Sequence, residues 1–341
     1  MKELLRELCM LDGIPGYEEE VRKVIEQKAA PYATEMTVDP LGNLTVFKKG
    51  AKRREKPVML AAHMDEVGFL VRGITDDGML RLAAAGGIDP RVLVGRRMKV
   101  GPKKIPGVIS LKAIHLTTPE ERKSAPGLNQ LYVDIGARRR SEAEELVQIG
   151  DPVAFDSAFY EMGDRCVKGK AIDDRVGCAV LLTLMREDLP YDTYFVFTTG
   201  EEIGHGSVVA AQRLNAGAVC TVEGTTAADM PDVPKHRRST AQREGAVVSI
   251  MDKGTVYNRE LQRRLTAVAD KEGVRWQYRK SANGGTDAGP MHKANAGCLA
   301  FGLAAPTRYI HCACNMVHLP DVEEVVKMGR IFIKETGENN V

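Results

Sequence analysis

The sequence predicts an α/β protein whose main domain is split by a β-rich insert, and three observations carry that prediction. Apolar runs of buried-strand length stand at 58–62, 194–199, 218–222 and 299–305, with segments of helical spacing between some of them. From 67 to about 164 the texture changes to short β-like runs separated by Gly, Pro and Asp. The chain also holds 33 glycines among 341 residues but only 5% aromatics, which suits many turns better than an all-β shell. The main domain is therefore read as residues 1–66 and 165–341, and the insert as 67–164.

Taken in order, 4–11 and 18–29 read as helices separated by Gly13-Ile14-Pro15-Gly16. Strand-like pieces follow at 34–38 and 43–47, then a basic turn and the buried-strand run 58–62. The insert carries β-like runs at 68–72, 96–100, 107–113 and 131–135, with one helical piece at 141–147. After Lys170, Asp173 and Asp174 open a helix in which Val176, Ala179, Val180, Thr183 and Leu184 recur at helical spacing. A helix at 208–214 follows the run that ends at Thr199.

Charge and cysteine usage narrow the function classes. With 48 basic residues against 46 acidic ones, the net charge is only +2. The basic runs Lys52-Arg53-Arg54, Arg138-Arg139-Arg140 and His236-Arg237-Arg238 lack interleaved aromatics and read as solvated turns, so no nucleic-acid partner is expected. The charged start reads as a helix and not as a signal peptide, and no apolar run approaches the roughly 20 residues that span a bilayer. Seven cysteines at scattered spacings read as reduced thiols of a cytoplasmic protein, with a metal-ligand role for the C-x-C pair Cys312 and Cys314 beside His311 as the lesser alternative.

The chemistry is expected where apolar runs stop. His63-Met64-Asp65 follows 58–62, Glu201-Glu202 follows 194–199, Glu223 follows 218–222, and His311 lies beyond 299–305. In an α/β sheet such endings gather at one edge, where ligands bind. Asp65 can accept the ring proton that His63 does not offer a metal, although a structural histidine–aspartate pair fits equally well. Adjacent carboxylates at Asp173-Asp174 exceed what capping a helix requires, and one of them can bridge two cations about 3.5 to 4 Å apart. Adjacent Glu201 and Glu202 repel unless a cation or a shared proton relieves them, so one can ligate while the other moves a proton. Either member of each pair fits on spacing alone. Imidazole and carboxylate ligands suit zinc, cobalt or manganese. No H-E-x-x-H helix, G-x-S-x-G elbow or phosphate-binding glycine loop competes with this reading.

In order along the chain, Ala62-His63-Met64-Asp65-Glu66-Val67-Gly68, Gly169-Lys170-Ala171-Ile172-Asp173-Asp174, Thr199-Gly200-Glu201-Glu202-Ile203-Gly204, Gly285-Thr286-Asp287-Ala288 and Arg308-Tyr309-Ile310-His311 resemble the tetrahedral aminopeptidase family. Gly86-Gly87-Ile88-Asp89 and Leu131-Tyr132-Val133-Asp134-Ile135-Gly136 extend the resemblance through the insert. The resemblance implies a three-layer α/β/α metallopeptidase domain around a mixed sheet, with an inserted β-barrel-like domain. It implies two divalent cations per subunit, zinc or cobalt or else manganese. His63 and Glu223 would hold one, Glu202 and His311 the other, and Asp173 would bridge them. Glu201 would be the general base and acid, Asp65 would orient His63, and Asp174 would support the helix start. Short peptides are the implied substrates, and the implied assembly is a homo-oligomer built from dimers, up to a tetrahedral dodecamer.

Two positions depart from the commonest family pattern. Glu223 stands where aspartate is frequent, and Asn315 ends a stretch that more often closes on glutamate, so neither the family's ion pair nor its local hydrogen-bond network is expected there. Besides peptide hydrolysis, the same residues would serve a metal-dependent deacylase of N-acylated amino acids or peptides. A non-catalytic assembly or binding subunit is the alternative outside enzymes.

Overall fold

The computed structural model describes residues 1–338. Strands β1 (Glu35–Val38), β2 (Leu44–Lys48) and β3 (Val58–His63) enter a large mixed sheet after helices α1 (Lys2–Met10) and α2 (Glu19–Ala29). The chain then leaves the sheet to form β4 (Gly68–Ile74), β5 (Leu80–Ala85), β6 (Arg97–Val100), β7 (Ile105–Ser110), β8 (Tyr132–Asp134), α3 (Arg140–Glu144) and β9 (Pro152–Phe155). These strands close a barrel in the order β4-β5-β8-β7-β6-β9. Its interior is filled by alternate residues such as Phe69, Val71, Leu80, Leu82, Met98 and Val100.

The chain returns to the sheet through β10 (Tyr160–Met162) and β11 (Cys166–Gly169), followed by α4 (Ile172–Leu184), β12 (Thr193–Thr198) and α5 (Ser207–Gln212). The remaining elements are β13 (Ala218–Thr226), β14 (Ala246–Ser249), α6 (Arg259–Lys271), β15 (Trp276–Arg279), α7 (Ala288–Met291), β16 (Leu299–Arg308), β17 (Asn315–His318) and α8 (Leu319–Glu338). The sheet has eleven strands, with β1-β2-β12-β3-β13-β16-β17-β11-β10 as its main path and β14 and β15 branching from β16. Its centre, β12-β3-β13-β16, is parallel. Four carboxyl ends therefore emerge together.

Strand alternation sorts the two faces. Val58, Leu60 and Ala62 of β3 pack with the apolar sides of α1, α4, α6 and α8. Met59 and Ala61 face the other way, toward Ala210 and Ala211 of α5 and Ala288 and Met291 of α7. Helices thus cover both faces, giving three layers. Among the described residues no helix is long and apolar enough to cross a membrane. Two of the basic runs make acidic or aromatic contacts: Arg53 pairs with Asp192, Arg54 lies over Tyr191, Arg138 pairs with Glu142, and Arg140 with Asp76.

Several elements differ from the sequence expectation. The helix expected at 141–147 is displaced to Arg140–Glu144, and the run at 107–113 forms Ile105–Ser110. Strand β13 continues four residues past Val222 because its pairing with β16 runs on to Thr226 opposite Thr307, so Glu223 lies inside a strand and not after one. Strands β5, β14, β15 and β17 have too little length or too little alternation to stand out in a periodicity reading.

Candidate metal centre

The parallel carboxyl edge assembles the expected residues. β3 ends at His63 opposite Thr198 of β12, and the tight turn Glu201–Ile203 follows at once. Gly200, at φ 64°, turns the chain out of the strand in a left-handed conformation that a side chain would disfavour. Three remote side chains then fix this turn. Asp65 accepts hydrogen bonds from the backbone N–H groups of Glu201 and Glu202, both at 3.1 Å. Glu18 accepts from the Gly200 N–H at 3.0 Å, and Asn43 Oδ1 from the Thr199 N–H at 2.9 Å. Neither Glu18 nor Asn43 was anticipated; a polar residue opening a helix or closing a hairpin gives no sign of what it will reach 150 residues or more away.

His63, Asp173 and Glu223 meet at one side. His63 Nε2 is 3.6 Å from Asp173 Oδ1 and 3.5 Å from Glu223 Oε2, while Nδ1 stands 3.4 Å from Asp65 Oδ1. On the other side His311 Nε2 is 3.7 Å from Asp173 Oδ2 and 3.5 Å from Glu202 Oε2. The two oxygens of Asp173 therefore face different histidines. These spacings are too wide for good hydrogen bonds. They match the roughly 3.3 Å expected between atoms that each lie about 2.0–2.1 Å from one tetrahedral cation.

Asp174 is also close to His63 and Glu223. Its oxygens are already engaged, however, accepting the N–H groups of His63 at 3.2 Å and Gly177 at 2.9 Å. Asp174 thus ties the end of β3 to α4, and Asp173 is left with both oxygens free for the cavity.

The barrel supplies the orientation of His311. Its Nδ1 is 2.8 Å from the Gly87 carbonyl, so Nδ1–H donates and Nε2 keeps its lone pair for the centre. Contrary to the sequence expectation, Asn315 does build a local hydrogen-bond network, because its neutral amide both accepts and donates. Its Oδ1 accepts the Asp173 N–H at 3.4 Å, and its Nδ2 donates to the carbonyls of Tyr309 at 2.7 Å and Cys312 at 3.2 Å. One side chain therefore links Asp173 to the loop that carries His311. Cys312 and Cys314 take part in this loop's own hydrogen bonds, with the Cys314 N–H reaching Cys312 Sγ at 3.3 Å, and among the described residues neither joins a metal-sized cluster.

The bare site is electrostatically frustrated. Burial, then Asp287, Glu202 and Asp65, push the Glu201 carboxyl well above its ordinary range against the opposing pull of His63. Burial and Asp173 raise Glu202 to about 8, and burial and Asp174 push Glu223 far up. Burial opposes a charge on His63, yet Asp173 and Asp65 outweigh it and push the imidazole well above the usual histidine range. Buried Glu223 Oε1 has no hydrogen-bond partner. Divalent cations relieve each of these terms at once, so the donor set fits a metal centre. Among the described residues, two clusters of metal-binding composition occur, His63-Asp174-Glu223 and Asp173-Glu202-His311. Both border a cavity of about 1250 Å³, which Glu201 also lines.

Comparison with known proteins agrees with this geometry. The pattern of M42 glutamyl aminopeptidases matches residues 42–328. The chain is 32% identical over 331 residues to a putative aminopeptidase of Acetivibrio thermocellus, covering 96% of this chain and 97% of that protein. Its fold is similar to a TET aminopeptidase from Thaumarchaeota archaeon SCGC AB-539-E09, with a TM-score of 0.95, 32% identity, and 100% and 98% of the two chains covered. It is also similar to the Pyrococcus horikoshii TET1 peptidase, described as assembling into a tetrahedron or a large octahedral shell, with a TM-score of 0.85, 31% identity, and 97% and 98% covered.

Proposed function

The chain belongs to the M42 glutamyl aminopeptidase family, and from that premise we propose how its residues carry out dinuclear metal-dependent aminopeptidase action on peptides. His63 and Glu223 would hold one divalent cation, Glu202 and His311 would hold the second, and Asp173 would be shared between the two. Asp65 orients His63, and Asp174 stays behind the ligands as a backbone anchor. When bound, the cations supply Lewis acidity toward the first carbonyl and lower the pKa of water. Zinc or cobalt suits this mixed shell, with manganese as a further choice.

Glu201 performs the proton transfers. Its carboxylate lines the cavity beside both clusters, while Asp65 holds its backbone, so it can take a proton from the attacking water and return it to the departing amine. A free N-terminal amine anchored at the cations or at a cavity carboxylate would make the reaction an exopeptidase one. The observation that carries this reading is a glutamate left beside two complete ligand sets.

The proposal extends to context. Residues 67–164 form an inserted domain between catalytic parts 1–66 and 165–341, and the protein works in the cytoplasm on short peptides. Its subunits assemble from dimers, with a tetrahedral dodecamer as the full form. Light scattering of the purified protein checks the last point, and a monomer at micromolar concentration contradicts it.

The catalytic assignment is tested by Glu201→Gln. Release of the N-terminal residue should fall by about 10²- to 10⁴-fold in kcat, the size of a general acid–base contribution, with both cations retained by elemental analysis. Undiminished turnover at full metal content removes Glu201 from the role.

A further inference from the structure

We propose that Cys312 and Cys314 are an oxidisable dithiol: hydrogen peroxide joins them in a disulfide, and the rearranged loop weakens the cation site assigned to Glu202 and His311. The oxidation stands apart from the aminopeptidase reading, and its effect on the site rests on the ligand assignment above.

The loop between β16 and β17 bends at His311, Cys312 and Ala313. Such a bend sets residues two apart at a Cα separation of about 5–6 Å, inside the range of roughly 4.4–6.8 Å that a disulfide spans. The Cys314 N–H donates to Cys312 Sγ at 3.3 Å, so that sulfur already lies over the Cys314 backbone. The Cys314 Cβ is only two bonds from the same nitrogen. Rotation about its Cα–Cβ bond therefore carries the second sulfur toward the first. In the reduced protein the Cys314 thiol instead meets the barrel, where Arg96 Nη1 donates to Cys314 Sγ at 3.7 Å.

A molecule as small as peroxide can reach the pair. Cys312 is 9% exposed and lines the cavity of the candidate centre, and Cys314 is half-buried, whereas Cys9, Cys166, Cys178 and Cys220 are buried elsewhere. One peroxide is consumed per disulfide. Cys314 Sγ attacks a peroxide oxygen, the O–O bond breaks, and the departing hydroxide takes the thiol proton as water, leaving a sulfenic acid. Cys312 Sγ then attacks that sulfur, and its proton leaves with the sulfenic hydroxyl as a second water. The two thiols lose the two electrons that the peroxide gains. A dithiol reductant reverses the bond by exchange, the more readily because a ring closed across a single residue is tight.

The effect on the centre follows from what these thiols hold. Tyr309 and His311, at φ 59° and 58°, have left-handed backbones that a side chain disfavours, so contacts within the loop must keep them there. One such contact is the Cys312 thiol, which donates to the Tyr309 carbonyl at 3.0 Å. Oxidation removes that proton and draws Cys314 away from Arg96. His311 and Asn315 stand on either side of the pair, so closing the ring moves the backbone between the imidazole that Gly87 orients and the amide that holds the Asp173 N–H.

The test treats zinc-loaded protein with hydrogen peroxide, because zinc itself is not oxidised, then desalts, alkylates and digests it with trypsin. The tryptic peptide between Arg308 and Lys327 carries both cysteines. It should appear unalkylated and lighter by two hydrogens. Zinc content should fall by about half and release of N-terminal residues by about tenfold or more, the scale on which lost supporting contacts act at metal sites. Dithiothreitol followed by zinc should restore all three readings. Cys314→Ser should keep its own untreated zinc content and turnover through the same exposure, while Cys298→Ser should respond as the wild type does. A peptide that stays fully alkylated, or that carries sulfinic or sulfonic acid in place of the disulfide, overturns the pairing. A disulfide that leaves zinc and turnover unchanged overturns its hold on the centre, and equal inactivation of Cys314→Ser does the same. A protein that forms the disulfide and sheds zinc, yet cuts no peptide even before treatment, upholds the dithiol and overturns the aminopeptidase reading alone.

Discussion

At the scale of single residues, the candidate centre is organised by groups outside the proposed ligand set. Asn315 is the clearest case: its amide joins the Asp173 backbone to two carbonyls of the His311 loop. Asn315→Ala should weaken cation affinity by roughly 10- to 100-fold, as loss of a supporting partner does at other metal sites. Asn315→Asp should be no better, since a carboxylate cannot donate to the two carbonyls. Calorimetric titration of the metal-stripped protein decides it, and wild-type affinity in both variants rejects the role. The ligand types were legible in the sequence because acids and histidines at the ends of apolar runs are costly unless gathered. The choice between Asp173 and Asp174 was not legible from spacing. Only the structure shows Asp174 satisfied by the N–H groups of His63 and Gly177 while Asp173 faces both histidines.

At the scale of elements, α4 must approach β13 closely for Asp173 and Asp174 to reach the sheet edge. Gly177 makes that approach possible: a Cβ there would lie 2.3 Å from the Val222 carbonyl and 2.4 Å from Asp174 Oδ2. Neither contact belongs to a flexible side chain end that can swing clear without breaking a bond in the site. Gly177→Ala should therefore cost about 1–3 kcal/mol in stability, as overpacking does, and should also depress activity because Asp174 is displaced. Urea unfolding with parallel assays measures both, and an unchanged midpoint refutes the close-packing account. Sequence periodicity found α4, β3 and the core parallel strands because each is long and apolar. It missed β14 and β15, whose four residues each are stabilised by pairing with a neighbour that no local pattern reveals.

At the scale of the molecule, the barrel is tied to the sheet domain by charge as well as by Gly87. Asp12, just after α1, lies 3.0 Å from Lys99 of β6, 3.0 Å from Lys104 and 3.2 Å from Lys170 ahead of α4. Burial alone would raise the Asp12 carboxyl, but Lys170, Lys104 and Lys99 outweigh it and bring it down to about 2. Because the folded value lies below the unfolded one, the stabilisation is complete above about pH 4 and lost as pH falls through 2. At neutral pH it is on the order of 2 kcal/mol. Asp12→Asn should accordingly melt a few degrees lower at neutral pH, with the gap to wild type closing below about pH 4. A gap independent of pH means the lysines act on Asp12 only through packing. The insert itself was visible as a change of texture, yet its closure into a barrel depends on β4 meeting β9, a pairing far apart in sequence.

The proposed ligands are also strung along the chain in a particular way: His63 comes first, Asp173, Glu202 and Glu223 follow, and His311 comes last. During synthesis the first pair of ligands cannot close until Glu223 has left the ribosome, and the second cannot close until β16 is paired and His311 has followed it. A truncated or misthreaded chain lacks the second half of the centre however well its early strands have formed. Under the proposed ligand assignment, retention of both cations would therefore report that the chain has been made and folded at least through His311.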